Sequence, residues 1–235
     1  MNLGFFNQIV EAISLERLDV YRRDGVDEVT TLARYLWNIA LCEALYCPLQ
    51  MAEVVLRNAA HRACTDKYNG EAWYDHAPLA PWAKWQIDNA KDKIRKIRKP
   101  VTPGRVVSEL HFGFWTSFFN NVNARSGLGA CLLKNGFQCC PKHERNTKTQ
   151  EKRWDKIRRL RNRVFHHERI IHWSDLSEQH AKLIEAISWL SPEIEKMTLN
   201  LDRFSEIFKA GIDPWKVKIR GYWPKDDAGS VKQGK

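Results

Sequence analysis

The amino-acid sequence predicts an all-α protein. Along most of the 235 residues, apolar side chains recur at intervals of three and four, which is the spacing of one face of an α-helix. Start and stop signals of helices separate these segments, and few stretches show the alternating pattern of a half-buried strand. We therefore expect a single helical domain over residues 1–212, followed by a flexible C-terminal tail over residues 213–235.

Two long apolar helices are expected near the N-terminus. Apolar positions at helical spacing favour a first helix over residues 27–46, and Pro48 is expected to end the pattern. A second helix is expected over residues 49–68, where Asn69-Gly70 supplies a stop signal. These two helices would form the centre of the hydrophobic core.

The middle of the chain predicts shorter helices. A third helix is expected over residues 81–98, and Pro100 closes it. Residues 106–123 are apolar and aromatic, and Gly113 within them indicates two short helices or one kinked helix. The polar, basic segment over residues 136–150 is expected to be an exposed loop.

A helix that carries the main motif follows this loop. The sequence Thr147-Lys148-Thr149-Gln150 fits a capping box, so we expect the motif helix at about residues 148–168. A second capping box over residues 175–178 opens a helix that runs to about Leu190. Ser191-Pro192 then separates it from a last helix, which ends near Lys209. The residues expected to form the buried stripe of the motif helix are Trp154, Ile157, Leu160 and Val164.

Residues 161–168 read Arg-Asn-Arg-Val-Phe-His-His-Glu and carry the strongest functional signal. Metal-independent RNA cleavage needs a base for the 2′-hydroxyl, an acid for the leaving 5′-oxygen and fixed positive charge near the phosphate. Histidine can serve either proton-transfer role at neutral pH. Arginine stays protonated, and its planar fork of donors fits phosphate oxygens. These residue types together favour RNA cleavage.

The spacing within this segment is informative about geometry. Asn162 and His166 are four residues apart, so on a helix they share one face and the amide can orient the imidazole ring. Arg161 and His166 are five residues apart, about 140° around an ideal helix. They would therefore not converge unless the helix ends or bends between them. A single copy of the motif on an unbroken helix therefore would not place the arginine and the histidine at one active site.

The segment fits the R-x4-H signature of the HEPN ribonuclease superfamily, and the chain resembles the Abi-like (abortive infection) branch of that superfamily. R-x4-H alone is a weak pattern, because arginine and histidine at this spacing occur by chance in many basic helical proteins. Four blocks in order, which together cover roughly residues 30–190, are more specific. Besides the motif, the blocks are Tyr35-Leu36-Trp37-Asn38 running into Glu43-Ala44-Leu45-Tyr46, then residues 53–61, then Glu109-Leu110-His111-Phe112-Gly113-Phe114-Trp115.

The resemblance implies a HEPN-like helical bundle with additional helices and a metal-independent endoribonuclease activity. It also implies a homodimer in which the motifs of two protomers meet in one composite active site. Carried over to this chain, it assigns Arg161 to the scissile phosphate, His166 to the role of acid or base and Asn162 to orienting the site. His167 and Glu168 are auxiliary candidates.

The resemblance further implies a biological setting. Such a protein would act as a toxin or abortive-infection effector in prokaryotic defence, and a toxin needs a silencing partner. We therefore expect an antitoxin or another regulatory partner, either protein or RNA.

Net charge agrees with an RNA partner. The chain carries a formal charge of +10 and has a pI near 9.4, which favours a polyanion such as nucleic acid or an anionic membrane. Ten lysines or arginines lie within residues 142–163. Runs of charged residues are often only solvent-exposed helix faces. Because this run adjoins the motif, we interpret it as an RNA-binding surface. The expected RNA-binding residues are Lys152, Arg153, Lys156, Arg158, Arg159 and Arg163.

No membrane partner and a cytoplasmic location are expected. The apolar stretches fall short of the roughly 20 residues that span a bilayer. The N-terminal residues lack the basic segment of a secretory signal and soon meet Glu11 and Glu16.

No metal and no cofactor are predicted, although zinc is the main rival explanation for the cysteines. Cys42, Cys47 and Cys64 fall in apolar helical patterns, where cysteine usually behaves as a small hydrophobe. A second group of four residues offers enough ligands for zinc, but its spacing matches no zinc motif. These four are Cys131, Cys139, Cys140 and His143.

Two alternatives to an enzyme stay open at this stage. A non-catalytic RNA-binding module would keep the basic surface and show salt-dependent affinity without turnover. A helical scaffold that works through its dimer face alone would have no more RNA affinity than any basic protein.

Overall fold

The computed structural model describes residues 3–120, 123 and 126–224, and these residues form helices, turns and loops with no strand among them. The all-α prediction is confirmed. Short 3-10 turns occur at Arg23–Gly25, Trp73–Asp75 and Ser117–Phe119. The α-helices described are α1 (Leu3–Ile13), α2 (Leu15–Asp19), α3 (Glu28–Tyr68), α4 (Pro81–Lys96), α5 (Pro103–Glu109), α6 (Phe112–Thr116), α7 (Leu128–Gly136), α8 (Thr147–Phe165), α9 (Leu176–Leu190), α10 (Pro192–Leu201), α11 (Phe204–Ala210) and α12 (Asp213–Tyr222).

Helix α3 is the central element, and its 41 residues replace the two helices expected on either side of Pro48. That expectation is wrong. Proline removes one backbone hydrogen bond and costs about 3 kcal/mol inside a helix. Here Pro48 is itself buried, and its neighbours Leu45 and Leu49 are also buried in the core, so side-chain packing holds the helix together through the proline.

Both ends of α3 are fixed by local signals. The Asp27 carboxylate accepts a hydrogen bond of 2.7 Å from the Thr30 N–H, which caps the first turn. The helix ends at Asn69, whose backbone is left-handed with φ of 53°, as the Asn-Gly signal predicted. Between these ends α3 contacts α2 and every helix from α6 to α12.

By length and composition alone, α3 could also cross a membrane, although half of its most apolar 18-residue window is buried within the fold. This contradicts the expectation that every apolar stretch is too short to span a bilayer. A mostly buried core helix of a soluble protein has the same composition, and the fold is compatible with a soluble protein.

The expected flexible tail over residues 213–235 begins instead with helix α12. Residues Asp213–Tyr222 are helical and pack against α3, with Ile219 and Trp223 buried in a small cluster that also holds Phe6 from α1. The apolar residues of α12 are separated by lysines and arginines, so the segment looked like a charged tail in the sequence. Residues 225–235 of the expected tail lie outside the described residues.

Several smaller expectations also change. The segment after residue 103 divides at Leu110 and His111, not at Gly113, which lies inside α6. The last expected helix is two helices, α10 and α11, separated by Asp202 and Arg203. Helices α4 and α9 are confirmed close to their predicted bounds.

The loop before the motif helix is less exposed than expected. It spans residues 137–146, since α7 ends at Gly136, and Phe137 and Cys140 within it are buried in the core. Helix α8 begins one residue earlier than predicted, because Asn146 and not Thr147 is the cap: its side chain accepts a hydrogen bond of 2.9 Å from the Thr149 N–H.

The inner face of α8 is as predicted. The four residues of its expected stripe are all buried, and they pack into the same core as α3. The outer face carries the charged residues of the helix. Together these contacts fix the direction in which α8 delivers the R-x4-H motif to the surface.

Candidate functional site at the end of helix α8

Helix α8 ends at Phe165, inside the motif and three residues earlier than expected. The N–H of Glu168 donates to the Arg163 carbonyl at 2.8 Å, and the N–H of His167 donates to the Val164 carbonyl at 3.1 Å. These two bonds define a Schellman turn, in which a left-handed residue reverses the chain after a helix. That residue is His167, with φ of 57°, where glycine is usual and a bulkier residue costs about 1–2 kcal/mol.

A single side chain from α3 holds the backbone that follows this turn. The buried Asn38 amide donates to the Glu168 carbonyl at 3.2 Å, and its oxygen accepts from the N–H groups of Ile170 and Ile171 at 2.8 and 3.3 Å. Arg17 of α2 donates to the His167 carbonyl at 2.9 Å. The turn is therefore braced from two directions, which supports the strained backbone at His167.

The motif arginine is held by contacts to α3 and to its own helix. The Arg161 Nε lies 3.3 Å from a Glu53 carboxylate oxygen, and the guanidinium stacks 4.3 Å from the centre of the Phe165 ring. Phe165 in turn stacks on Tyr46 of α3 at 5.1 Å. The Arg161 side chain remains 27% exposed.

The motif histidines are exposed and lie beyond the helix end. The His166 N–H donates to the Asn162 carbonyl at 2.9 Å, so backbone atoms join these two residues. Among the described contacts, no side-chain hydrogen bond joins Asn162 to His166 and none joins Arg161 to His166. One protomer thus presents the motif side chains without assembling them into a hydrogen-bonded set.

Most of the predicted RNA-binding arginines on α8 already have acidic partners. Arg158 and Arg159 share Asp155, at 2.6 and 2.8 Å, and Arg163 pairs with Glu168 at 2.9 Å. Each of these partners neutralises part of the basic surface that the sequence suggested.

Arg153 needs a correction. Its side chain is 10% exposed, pairs with Glu185 and with Glu144 at 3.7 Å, and stacks 4.0 Å from the centre of the Trp189 ring. A guanidinium buried between two carboxylates and an indole has a structural role, so we no longer expect Arg153 to contact RNA.

The two predicted lysines differ from these arginines. Lys156 is exposed and lies 3.8 Å from Asp175, while Lys152 is exposed and has no ion pair among the described residues. Both remain accessible to a polyanion.

A second basic group lies next to the motif turn and was missed in the sequence. Arg34 of α3 donates to the Tyr21 and Arg23 carbonyls at 3.1 and 2.9 Å. The Arg169 guanidinium lies 5.8 Å from the centre of the Tyr21 ring, and its Nε is buried with no hydrogen-bond partner among the described residues. We call Arg23, Arg34 and Arg169 the arginine cluster.

Burial and neighbouring charges lower the pKa values of two groups at this cluster. Burial lowers the pKa of Arg169, and Arg23 and Arg34 lower it further. Burial also lowers the pKa of His172, with added effects from Arg169, Arg163 and Arg23. These effects favour the neutral form of the His172 imidazole.

An apolar groove adjoins the motif on the other side. It has a volume of about 620 Å³ and runs along α3 to Phe165 and His167. Ile39 and Tyr46 line it, and both are about half exposed. Large apolar side chains in such a position often mark an interaction surface.

The cysteines show no metal-binding arrangement within the described part of the chain, where no group of three or more histidine, cysteine or acidic residues could hold a metal ion. Cys131 lies on α7 and its thiol donates to the Ala63 carbonyl, while Cys140 is buried and Cys139 is exposed. Burial raises the pKa of Cys140 to about 11, so its thiol is protonated at neutral pH.

In comparisons with known proteins, no family model matches this chain, and no curated protein or solved structure is significantly similar to it.

Proposed function

We propose that this chain is a metal-independent endoribonuclease of the HEPN type. The observation that carries the proposal is the braced turn at the end of α8, which presents Arg161, His166 and His167 at the surface beside the arginine cluster. The protein would be cytoplasmic and would serve as a toxin or abortive-infection effector in prokaryotic defence, controlled by an antitoxin or another regulatory partner.

The chemistry follows from the side chains at this turn. An imidazole takes the proton from the 2′-hydroxyl, the 2′-oxygen attacks phosphorus, and the bond from phosphorus to the 5′-oxygen breaks. A proton returns to the 5′-oxygen, so the products carry a 2′,3′-cyclic phosphate and a 5′-hydroxyl. His166 supplies one proton-transfer group, and Arg161 stabilises the negative charge that develops on the phosphate oxygens. Asn162 orients the site, with His167 and Glu168 as auxiliary residues.

A homodimer with a composite active site completes the machinery. Two observations support it: Arg161 and His166 are not joined within one protomer, and the groove beside them exposes Ile39 and Tyr46. A second copy that covers this groove would bring two motifs close together and exclude water from apolar surface.

The test of the activity is a cleavage assay on a mixed RNA pool in EDTA, with analysis of the product termini. We expect cyclic-phosphate and 5′-hydroxyl ends that disappear in His166→Ala and persist in His143→Ala, which removes another exposed imidazole outside the motif. Full cleavage by His166→Ala would contradict the proposal.

The composite site has its own test. When Arg161→Ala chains are mixed with wild-type chains, activity per wild-type chain should fall as mixed dimers form. An unchanged value would show that each protomer works alone.

A non-catalytic RNA-binding module is the second candidate. The arginine cluster favours it, because positive charge beside the motif binds a polyanion whether or not the histidines act. This candidate predicts RNA binding with no product at any protein concentration.

A further inference from the structure

The arginine cluster is assembled by side chains on one face of α3. Arg34 and Asn38 are four residues apart and therefore point to the same side of the helix. Arg34 donates hydrogen bonds to the Tyr21 and Arg23 carbonyls. Asn38 forms hydrogen bonds with the backbone on both sides of Arg169. Two segments almost 150 residues apart in the sequence are thus fixed against each other.

Among the described residues, the Asp24 carboxylate only partly offsets the positive charge of the cluster. Arg34 lies 3.8 Å from Asp24, whose side chain is 81% exposed and so weakly coupled. Glu168, the acidic residue next to Arg169 in the chain, is already paired with Arg163. Arginines that repel one another while a buried Nε lacks a partner are a costly arrangement unless an anion binds among them.

The chemistry of the anion follows from the donors. The guanidinium groups of Arg23 and Arg169 offer donors that match the oxygens of a phosphate, and the His172 imidazole can add a further hydrogen bond. Arg34, whose Nη1 already donates to the Tyr21 and Arg23 carbonyls, contributes positive charge and holds the segments in place. His172 lies close enough for its pKa to be lowered by both Arg169 and Arg23. The cluster and His172 together form a basic site with donors from three segments of the chain.

The distance to the motif identifies which phosphate would bind. His166 and Arg169 are three residues apart, so their Cα atoms are separated by at most about 11 Å. An RNA strand that runs from the motif toward Arg169 would therefore pass the cluster within one or two nucleotides.

We propose that Arg23, Arg34, Arg169 and His172 form a phosphate-binding subsite that holds the RNA backbone beside the cleaved bond. This inference rests on the proposed function, since it assumes RNA at the motif. Binding of the RNA strand at this subsite would not depend on base sequence, because backbone phosphates are the same at every nucleotide.

The test compares two neighbouring arginines. Arg23→Gln removes a charge from the cluster, whereas Arg22→Gln removes the same charge one residue earlier from a side chain that pairs with Glu28. Both side chains are exposed, so neither change should prevent folding. Binding is measured by fluorescence anisotropy with a 2′-O-methylated RNA oligonucleotide, which lacks the nucleophile and cannot be cut.

We expect Arg23→Gln to weaken binding about 5- to 10-fold and to lower the slope of log affinity against log salt by about 0.7, the value for one phosphate contact on a single strand. Arg22→Gln should stay within about twofold of wild type, which is the effect of a general loss of charge. Equal losses in the two variants would overturn the subsite.

A failure of the enzyme proposal would look different. If wild-type protein cuts no RNA but Arg23→Gln still binds RNA more weakly than Arg22→Gln, the subsite is supported and the proposed ribonuclease activity is contradicted. If wild-type protein cuts RNA but the two variants bind the oligonucleotide equally well, the ribonuclease activity is supported and the subsite is contradicted.

Discussion

Two basic regions of this molecule, helix α8 and the arginine cluster, differ in how far acidic residues offset their positive charge. Along α8, the arginines before the motif are paired: Arg158 and Arg159 share Asp155, and Arg153 lies between two carboxylates with 10% of its side chain exposed. Beside the motif turn, Arg23 and Arg169 have no ion pair among the residues that the structure describes, and the buried Arg169 Nε has no hydrogen-bond partner there. A count of lysines and arginines therefore locates a basic surface poorly unless their acidic partners are known.

The difference has a simple origin. Helical spacing of three and four residues places Asp155 directly beside Arg158 and Arg159, so these pairs form within α8 itself. The arginine cluster is assembled from three distant segments, and its charges meet only in the folded protein. A charge that pairs within its own helix can be predicted from spacing, whereas a group of charges assembled by the fold cannot.

The largest difference is expected between two arginines of α8, Arg161 and Arg159. Arg161→Ala should reduce cleavage about 100- to 1000-fold, because a charge that stabilises the transition state is lost. Arg159→Ala, whose partner Asp155 still has Arg158, should stay within about twofold. Rates of cleavage under single-turnover conditions measure both, and equal losses would contradict the distinction.

Asn38→Ala should have the next largest effect, because it removes the brace of the motif turn. Two backbone N–H groups and one carbonyl lose their partner, so we expect the free energy of unfolding to fall by about 1–3 kcal/mol. Urea denaturation measures this change. The exposed Asn135→Ala is the matched control and should change stability by less than about 0.5 kcal/mol. A similar stability for both variants would show that Asn38 does not brace the turn.

Arg153→Ala should separate stability from RNA binding. Loss of its carboxylate partners and of the contact with Trp189 should lower the free energy of unfolding by about 1–2 kcal/mol. Affinity for the uncleavable oligonucleotide should change by less than about twofold. A large loss of affinity with unchanged stability would restore Arg153 as an RNA contact.

The smallest effect is expected at an exposed pair. Lys182→Gln on α9 removes the partner of Glu178 at the surface, and we expect less than about 0.5 kcal/mol of stability to be lost. A larger loss by the same denaturation measurement would mean that surface pairs matter more in this fold than we infer.

The sequence predicted the parts of the molecule that depend on local pattern. The buried stripe of α8, the end of α3 at Asn69 and the bounds of α4 follow from spacing and capping. Where tertiary packing outweighed a local signal, the predictions were wrong: Pro48 lies inside α3, and α12 packs against the core despite its many charges.

The candidate site was predictable only in part. The residues of the motif could be named, but the early end of α8 depends on a left-handed His167 that no sequence rule indicates. Asn38 and Glu53 lie within two sequence blocks that the sequence analysis singled out, yet only the fold shows that they contact the motif segment. The arginine cluster has no local signature at all, because its members are distant in the chain.

The most direct test of the account is photo-crosslinking of wild-type protein to RNA that carries 4-thiouridine, followed by identification of the crosslinked peptides. We expect crosslinks in two peptides that meet only in the folded protein, residues 166–172 and residues 21–24. Crosslinks concentrated over residues 152–159, with none in the two peptides, would show that RNA binds along α8 and not at the arginine cluster, and the account of this site would be wrong.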